Sequence, residues 1–332
     1  MSSTKEKPLI SVIIEGYNDS RDLGTVEETM AALENQDFPT NRVEILLVGS
    51  RAQAEGWNEK FAGHSAFFAV RAIGRDQAHY YQLKNEGAQL ASGSILAMLD
   101  SDVIPDQNWL SSIYRGIVED RAEAVAGISL FRHKKGLLSS RNPLLLAAAS
   151  ISWGFVVPQE TADEHLLPNA FLSHNLGIRK EVFDRHFYRE DLGRTCAGSF
   201  LYNNLFESGA AFYFQTDQRV AHNFSFVWWL GRINFRSGYE IYRLRRIDPR
   251  YPNKFLTKLG FAEPFFSFFW NVLIDVPRWF RFSRFLGFGP VRRWLYVPLV
   301  VGLSCCARSA ESLGMLATIF FRKTMRRYAE DS

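Results

Sequence analysis

Runs of consecutive apolar residues, each closed by a polar or glycine-bearing turn, set the rhythm of the first hundred positions. Leu9–Ile14 (LISVII), Val43–Val48 (VEILLV) and Ile95–Leu99 (ILAML) lack the strict apolar–polar alternation of a half-exposed strand. Such runs predict strands buried on both faces of a sheet. Phe67–Ile73 predicts a further strand. Between them, Thr25–Asn35 predicts a helix that ends before Gln36-Asp37-Phe38-Pro39. Gln77–Ala91 predicts another, with Ala78, Tyr81, Leu83, Ala88 and Leu90 as apolar positions and Ser92-Gly93 as its stop. Strands alternating with helices predict an α/β fold on a mostly parallel sheet flanked by helices.

The pattern changes beyond Trp228-Trp229. From Phe261 to Tyr296 there are 13 aromatics in 36 residues, interleaved with Arg278, Arg281, Arg284, Arg292 and Arg293. The apolar runs Phe265–Val276, Trp294–Cys306 and Leu313–Phe321 each fall short of the roughly 20 residues a spanning helix needs. Pro264, Pro277, Pro290 and Pro298 are expected to break them further. The reading is a first domain at 1–227 and a helical, basic, aromatic-rich region at 228–332 that lies in the plane of a membrane surface. A buried helical subdomain or an oligomer interface is the alternative. Arginines among aromatics also suit single-stranded nucleic acid. No nucleic-acid-binding pattern accompanies them, so no such partner is expected.

Charge sharpens the division. The net charge of +4 conceals 21 Lys/Arg against 28 Asp/Glu in residues 1–227, and 18 against 7 in residues 228–332. The basic excess predicts attraction to an anionic surface. Three cysteines, two of them adjacent (Cys305, Cys306), make no disulfide framework and point to a reducing compartment. No segment with the pattern of a signal peptide precedes the first strand. The expected location is the cytoplasmic face of the cell membrane, with a peripheral or monotopic attachment.

Candidate chemistry begins where Ile95–Leu99 ends, in Asp100-Ser101-Asp102. Two carboxylates one residue apart at the end of a buried strand repel each other and lose hydration. A divalent cation relieves both costs. Hard oxygen ligands suit Mg²⁺ or Mn²⁺, whose remaining positions accept diphosphate oxygens. Taken alone, the motif also reads as a solvated acidic turn.

Four stretches, PLISVIIEGYN, ETMAALENQDFP followed by VEILLV, KNEGAQLASGSILAMLDSDVIPDQNWL, and NLGIRKEVF, together resemble the family 2 glycosyltransferases of GT-A fold, over about residues 8–222. The resemblance implies a metal-assisted, inverting transfer of a sugar from a nucleoside diphosphate donor. With the basic tail, the expected acceptor is lipid-linked or a polysaccharide. The resemblance places Tyr17 in the base pocket and Lys84 near the nucleotide. It also places Asp100 at the ribose or the metal, Asp102 on the metal, Asn175 toward the acceptor sugar and His222 near the metal or diphosphate. Leu137–Phe155 would form a helix over the acceptor side. Lys84 also reads as a solvated helix lysine, Tyr17 as strand-end packing and His222 as a core histidine. His174 reads as structural.

Two departures stand out. The family's second strand usually ends in aspartates that grip the base or ribose, whereas Gly49-Ser50 follows here. Glu15, where a proline is common, becomes the candidate for that task; it also reads as an ordinary loop carboxylate. The family's general base is an aspartate about a dozen residues before a helix-ending glycine. Counting back from Gly209 gives Ala197-Gly198, and the nearest acidic residues are Asp191, the first candidate base, and Glu190, the second; each also reads as a surface carboxylate. Two other classes remain open. A nucleotidyltransferase making a nucleotide-sugar would need a glycine-rich loop bearing Arg or Lys after the first strand, which is missing. A non-catalytic sugar-nucleotide or glycan-binding relative would account for a missing base.

Overall fold

A computed structural model describes residues 7–18, 25–61, 63–76, 79–132, 142–158, 166–192 and 197–331. Gln77, Ala78 and Leu137–Arg141, which belong to two of the expected helices, lie outside the described residues. The first elements are β1 (Ile10–Glu15), α1 (Val26–Glu34), β2 (Val43–Gly49), α2 (Arg51–Phe61), β3 (Ala69–Gly74), α3 (Tyr80–Leu90) and β4 (Ile95–Asp100). They continue with β5 (Val103–Pro105), α4 (Trp109–Tyr114), β6 (Ala124–Arg132), α5 (Pro143–Trp153), β7 (Leu176–Arg179), α6 (Lys180–His186), α7 (Ala197–Glu207) and β8 (Phe212–Asn223).

Among the described residues the strands form one eight-stranded sheet in the order β3-β2-β1-β4-β7-β6-β8-β5. The half β3-β2-β1-β4 is parallel, as the apolar runs require. β7 runs antiparallel to β4 and to β6, and β5 antiparallel to β8, so the whole is a mixed sheet. Every residue of β1, β2 and β4 is buried. The polar members of these runs are accounted for at the start of the strands. Ser11 donates to Glu44 Oε2 at 2.7 Å, and Glu44 also accepts from the Ser92 backbone at 2.8 Å. Gly93 is required at this joint. A Cβ there would stand 2.8 Å from the Ser11 backbone nitrogen, so only glycine lets the α3–β4 turn approach β1.

The described residues cluster in two compact units. One takes in Met1–Leu130, Val156–Glu190 and Ala197–Asn223, the other Phe131–Phe155, Asp191–Cys196 and Phe224–Ser332. The second holds α5 with α8 (Phe235–Ile247), α9 (Glu263–Phe285), α10 (Pro290–Leu295), α11 (Val297–Phe320) and α12 (Arg322–Asp331). Here the structure corrects the expectation of short, proline-broken runs: α9 is a continuous helix of 23 residues and α11 of 24. Pro264, Pro290 and Pro298 sit in the first turns of their helices, where no backbone N–H donates, and so begin helices instead of ending them. Only Pro277 is interior, and α9 continues through it, packed along α11. α8 and α11 cross at two glycines. A Cβ on Gly238 would meet the Glu311 carbonyl oxygen at 2.0 Å, and one on Gly314 the Phe235 carbonyl oxygen at 1.9 Å.

Candidate active site

β1 and β4 are neighbours, yet the chain leaves β1 toward β2 and β3 on one side and returns to β4 on the other. Such a reversal of strand order opens a crevice at the carboxyl ends of the strands, the usual seat of a ligand in a sheet of this kind. The register puts Glu15, the last residue of β1, opposite Asp100, the last of β4. Two buried carboxylates therefore stand side by side at the crevice.

α3 compensates one of them. Tyr80 and Lys84, four residues apart, lie on one face of the helix. The Tyr80 hydroxyl lies 2.7 and 2.9 Å from the two Asp100 oxygens and 2.9 Å from Ser173 Oγ. Lys84 is fully buried and donates to Asp100 Oδ1 at 2.7 Å, and to the Leu99 and Ser173 carbonyls at 2.9 Å each. Asn18 Nδ2 adds a bond of 3.3 Å to Asp100 Oδ2 and another of 3.3 Å to Glu15. Burial alone would raise the Asp100 carboxyl. The Lys84 ammonium and then the imidazoles of His174 and His222 outweigh it and hold the carboxyl well below the usual carboxylate range.

Asp102 is different. It follows β4 in the turn that leads to β5, and α1 fixes that turn: Thr29 Oγ1 donates at 2.9 Å to the carbonyls of Ser101 and Val103. Asp102 is buried, and its Oδ1 makes no hydrogen bond among the described residues. His222 Nδ1 lies 3.6 Å from that oxygen. The His222 ring stands perpendicular to that of His174, with centroids 4.4 Å apart, and His174 Nε2 is 2.9 Å from Ser129 Oγ. Ligand atoms of Asp100, His174 and His222 all lie within 4.8 Å of one another. An orphaned carboxylate oxygen beside this buried set of one carboxylate and two imidazoles is a donor arrangement that fits a divalent cation.

The other expected residues fall as follows. Tyr17 is half-buried, its ring edge-on to Tyr80 at 6.5 Å, and its backbone N–H donates to Glu15 Oε2 at 2.6 Å. Glu15 is buried and caps the β1 turn. At the ends of β1 and β2, Gln53 donates to the Gly16 carbonyl at 2.8 Å, and the Trp57 indole covers Gly16 and Gly49 so closely that a Cβ on either would stand 2.3 or 2.6 Å from it. Asn175 is buried and occupied within the sheet. Its amide donates to the Ile128 and Gln218 carbonyls, and its oxygen accepts from Trp109 Nε1 at 2.9 Å and Gln218 Nε2 at 3.0 Å. Glu190 is exposed and accepts from Asn85 Nδ2 at 3.0 Å, in the same unit as Asp100. Asp191 is exposed and belongs to the second unit, where its carbonyl accepts from Arg243 at 2.8 Å. Sequence reasoning did not single out Tyr80 or Asn18, and it left His174 as structural. The spacing of Tyr80 to Lys84 on one helix face was the available signal.

Fold and site define a glycosyltransferase with the GT-A architecture. The model of glycosyl transferase family 2 matches residues 11–187, more than half of the chain, and the chain belongs to that family. Among relatives, the glycosyltransferase AglE of Haloferax volcanii is 30% identical over 135 residues, which are 40% of this chain and 43% of that protein. Among solved structures, the mannosyltransferase PcManGT of Pyrobaculum calidifontis, determined in complex with GDP-Man and Mn²⁺, shares the fold. Its TM-score is 0.56 at 16% identity, over 96% of this chain and 89% of that one.

Proposed function

We propose that the protein transfers a sugar with inversion from a nucleoside diphosphate donor to a lipid-linked or polysaccharide acceptor. The transfer takes place at the cytoplasmic face of a membrane, with Mg²⁺ or Mn²⁺ as cofactor. The observation that carries this reading is the unbonded Asp102 oxygen at the β1–β4 crevice, next to an Asp100 already compensated by Lys84. Asp102, His222, His174 and Asp100 would hold the cation. When bound, the cation supplies Lewis acidity toward the departing diphosphate. That a GT-A relative of known structure was determined with GDP-Man and Mn²⁺ supports the choice of donor class and metal.

The chain's own groups have separable tasks. Lys84 and Tyr80 fix the Asp100 carboxylate as an anion of one orientation, so no reorganisation is needed as charge moves onto the leaving group. Tyr17, beside Gly16 and Gln53 at the strand ends, borders the place for the base, and Glu15 holds the turn that presents it. Asn175 serves the sheet that carries the adjacent His174, because a buried, fully bonded amide has nothing to offer an acceptor sugar. Inversion requires a carboxylate to take the acceptor proton. Glu190, tethered by Asn85 one residue from Lys84, is the first candidate and Asp191 the second. The basic region at 228–332 draws the protein to an anionic leaflet, where each nearby Lys or Arg contributes about 1 kcal/mol.

The test is calorimetry with a panel of nucleoside diphosphates in the presence of Mn²⁺ or Mg²⁺, followed by donor hydrolysis and transfer assays. Metal-dependent binding of one nucleotide, with transfer, is expected. Glu190→Gln is expected to slow transfer by about 10²–10⁴-fold while nucleotide affinity stays unchanged. If neither Glu190→Gln nor Asp191→Asn slows transfer, the base assignment is wrong. Binding without any turnover would make the protein a non-catalytic binder.

A further inference from the structure

The first half of α9 is built inside out. Its buried stripe, at intervals of four residues, is Glu263, Ser267, Asn271 and Asp275, none more than 8% exposed. Its outer stripe is Phe265, Phe266, Phe269, Trp270 and Leu273, between 40% and 71% exposed. The polar side is tightly wired. Arg245 on α8 donates to Glu263 and Ser267 at 3.1 Å each, and Arg246 to Glu263 at 2.6 Å. Asp275 accepts from Arg308 Nε and Nη2 at 2.9 Å each and from Ser304 at 2.7 Å, all from α11, and Asn271 donates to Glu311 at 2.7 Å. α11 repeats the arrangement, with Leu313, Leu316 and Phe320 facing outward. A helix pair folded for water shows the reverse distribution, because charges stay hydrated outside and aromatics are withdrawn. This pair has its buried carboxylates bonded internally and an apolar surface left bare, the arrangement that suits an apolar solvent.

We infer that the outer face of α9, continued by α11, inserts among the acyl chains of one leaflet of an anionic bilayer and does not merely adsorb to its surface. The inference deepens the membrane reading proposed above and rests on it for the choice of partner. Charge favours lipid over a second copy of the chain. Residues 228–332 carry 18 Lys/Arg against 7 Asp/Glu, and Arg281, Arg284, Arg292 and Arg293 follow directly on the aromatic stripe. Such surfaces repel each other and complement anionic headgroups. Length favours one leaflet over a crossing. The segments Lys254–Phe285 and Pro290–Phe320 are long and apolar enough to cross a membrane. The exposed large apolar residues of α9 nevertheless run only to Leu273. From Phe265 they cover only about 12 Å at 1.5 Å per residue, against roughly 30 Å of hydrocarbon.

The experiment is flotation of the full chain with vesicles of phosphatidylcholine and phosphatidylglycerol, without donor or acceptor. The wild type is expected to float and to stay with the vesicles in 1 M NaCl. Combined Phe265→Ser, Phe269→Ser and Leu273→Ser is expected to lower the partition coefficient by about 100-fold or more. Brominated acyl chains are expected to quench wild-type tryptophan fluorescence more than that of Trp270→Phe, which keeps an aromatic at that position. Release of the wild type by salt, flotation of the triple variant like the wild type, or equal quenching in Trp270→Phe would each overturn the inference. So would a lipid-free dimer that the triple variant abolishes while vesicle binding persists. The transferase reading fails separately: insertion without sugar transfer leaves this inference standing, and transfer without vesicle partition removes it.

Discussion

Lys84 and Asp102 lie within a few residues of Asp100 in space or sequence, and the crevice treats them in opposite ways. All three donors of the Lys84 ammonium are committed, one of them to Asp100. Replacing it by methionine leaves a buried carboxylate without its counter-charge, which costs about 3–5 kcal/mol. Lys84→Met is therefore expected to unfold at lower denaturant concentration by that amount. Adding Asp100→Asn is expected to recover part of the loss, since the uncompensated charge is then gone. Stability recovery absent from the double variant would mean that Lys84 acts through its carbonyl bonds instead. Asp102→Asn, by contrast, removes no internal bond of Oδ1. It is expected to leave the fold intact and to weaken metal-dependent nucleotide binding at least tenfold, about 1.4 kcal/mol, as read by titration with and without Mn²⁺. The D-x-D pair was legible as a pair. That Tyr80 and Lys84 bond Asp100 and leave Asp102 Oδ1 without a hydrogen bond among the described residues was not, because it depends on Tyr80 and Lys84 arriving from another helix and His222 from another strand.

At the scale of elements, what could be read followed the hydrophobic pattern. β1, β2, β4 and α3 were visible because their apolar residues are consecutive or on one helical stripe. α2 was missed: RAQAEGWNEKF buries only Ala54 and Trp57 and so presents no stripe. The antiparallel pairing of β5 with β8 joins residues more than a hundred positions apart, which no local pattern encodes. The long helices were misjudged because proline was weighed as a breaker without regard to its place in the turn. The α8–α11 crossing makes a prediction of its own. With carbonyl oxygens about 2 Å from where side chains would begin, Gly314→Val has to push the helices apart. A loss of about 1–3 kcal/mol is expected in a chemical denaturation curve, whereas Gly302→Val, in the same helix but with open space around it, is expected to be neutral or slightly stabilising, since glycine is the poorer helix former. Equal effects of the two would contradict a tight crossing.

For the whole molecule, opposite charge in the two parts of the chain was the most informative global quantity, and composition alone gave it. Composition could not say that α9 turns Glu263 and Asp275 inward and Phe265, Phe266 and Phe269 outward. That distribution depends on which side of each helix faces α8, a matter of rotation about an axis that average hydropathy does not record.

The buried pairing of Lys84 with Asp100 also bears on the order in which things reach the crevice. Since the Lys84 ammonium already balances the Asp100 charge, that part of the scaffold does not wait for a cation to set. Chelation by EDTA is expected to leave the melting temperature unchanged to within about 1 °C, as for any ion with no stabilising linkage at the concentration present. A fall of several degrees would instead make the ion part of the framework. If the proposed cation binds there, a seat already set by Lys84 would receive nucleotide and metal as one chelate, and loading would then follow the concentration of that chelate instead of a slow rearrangement of the protein.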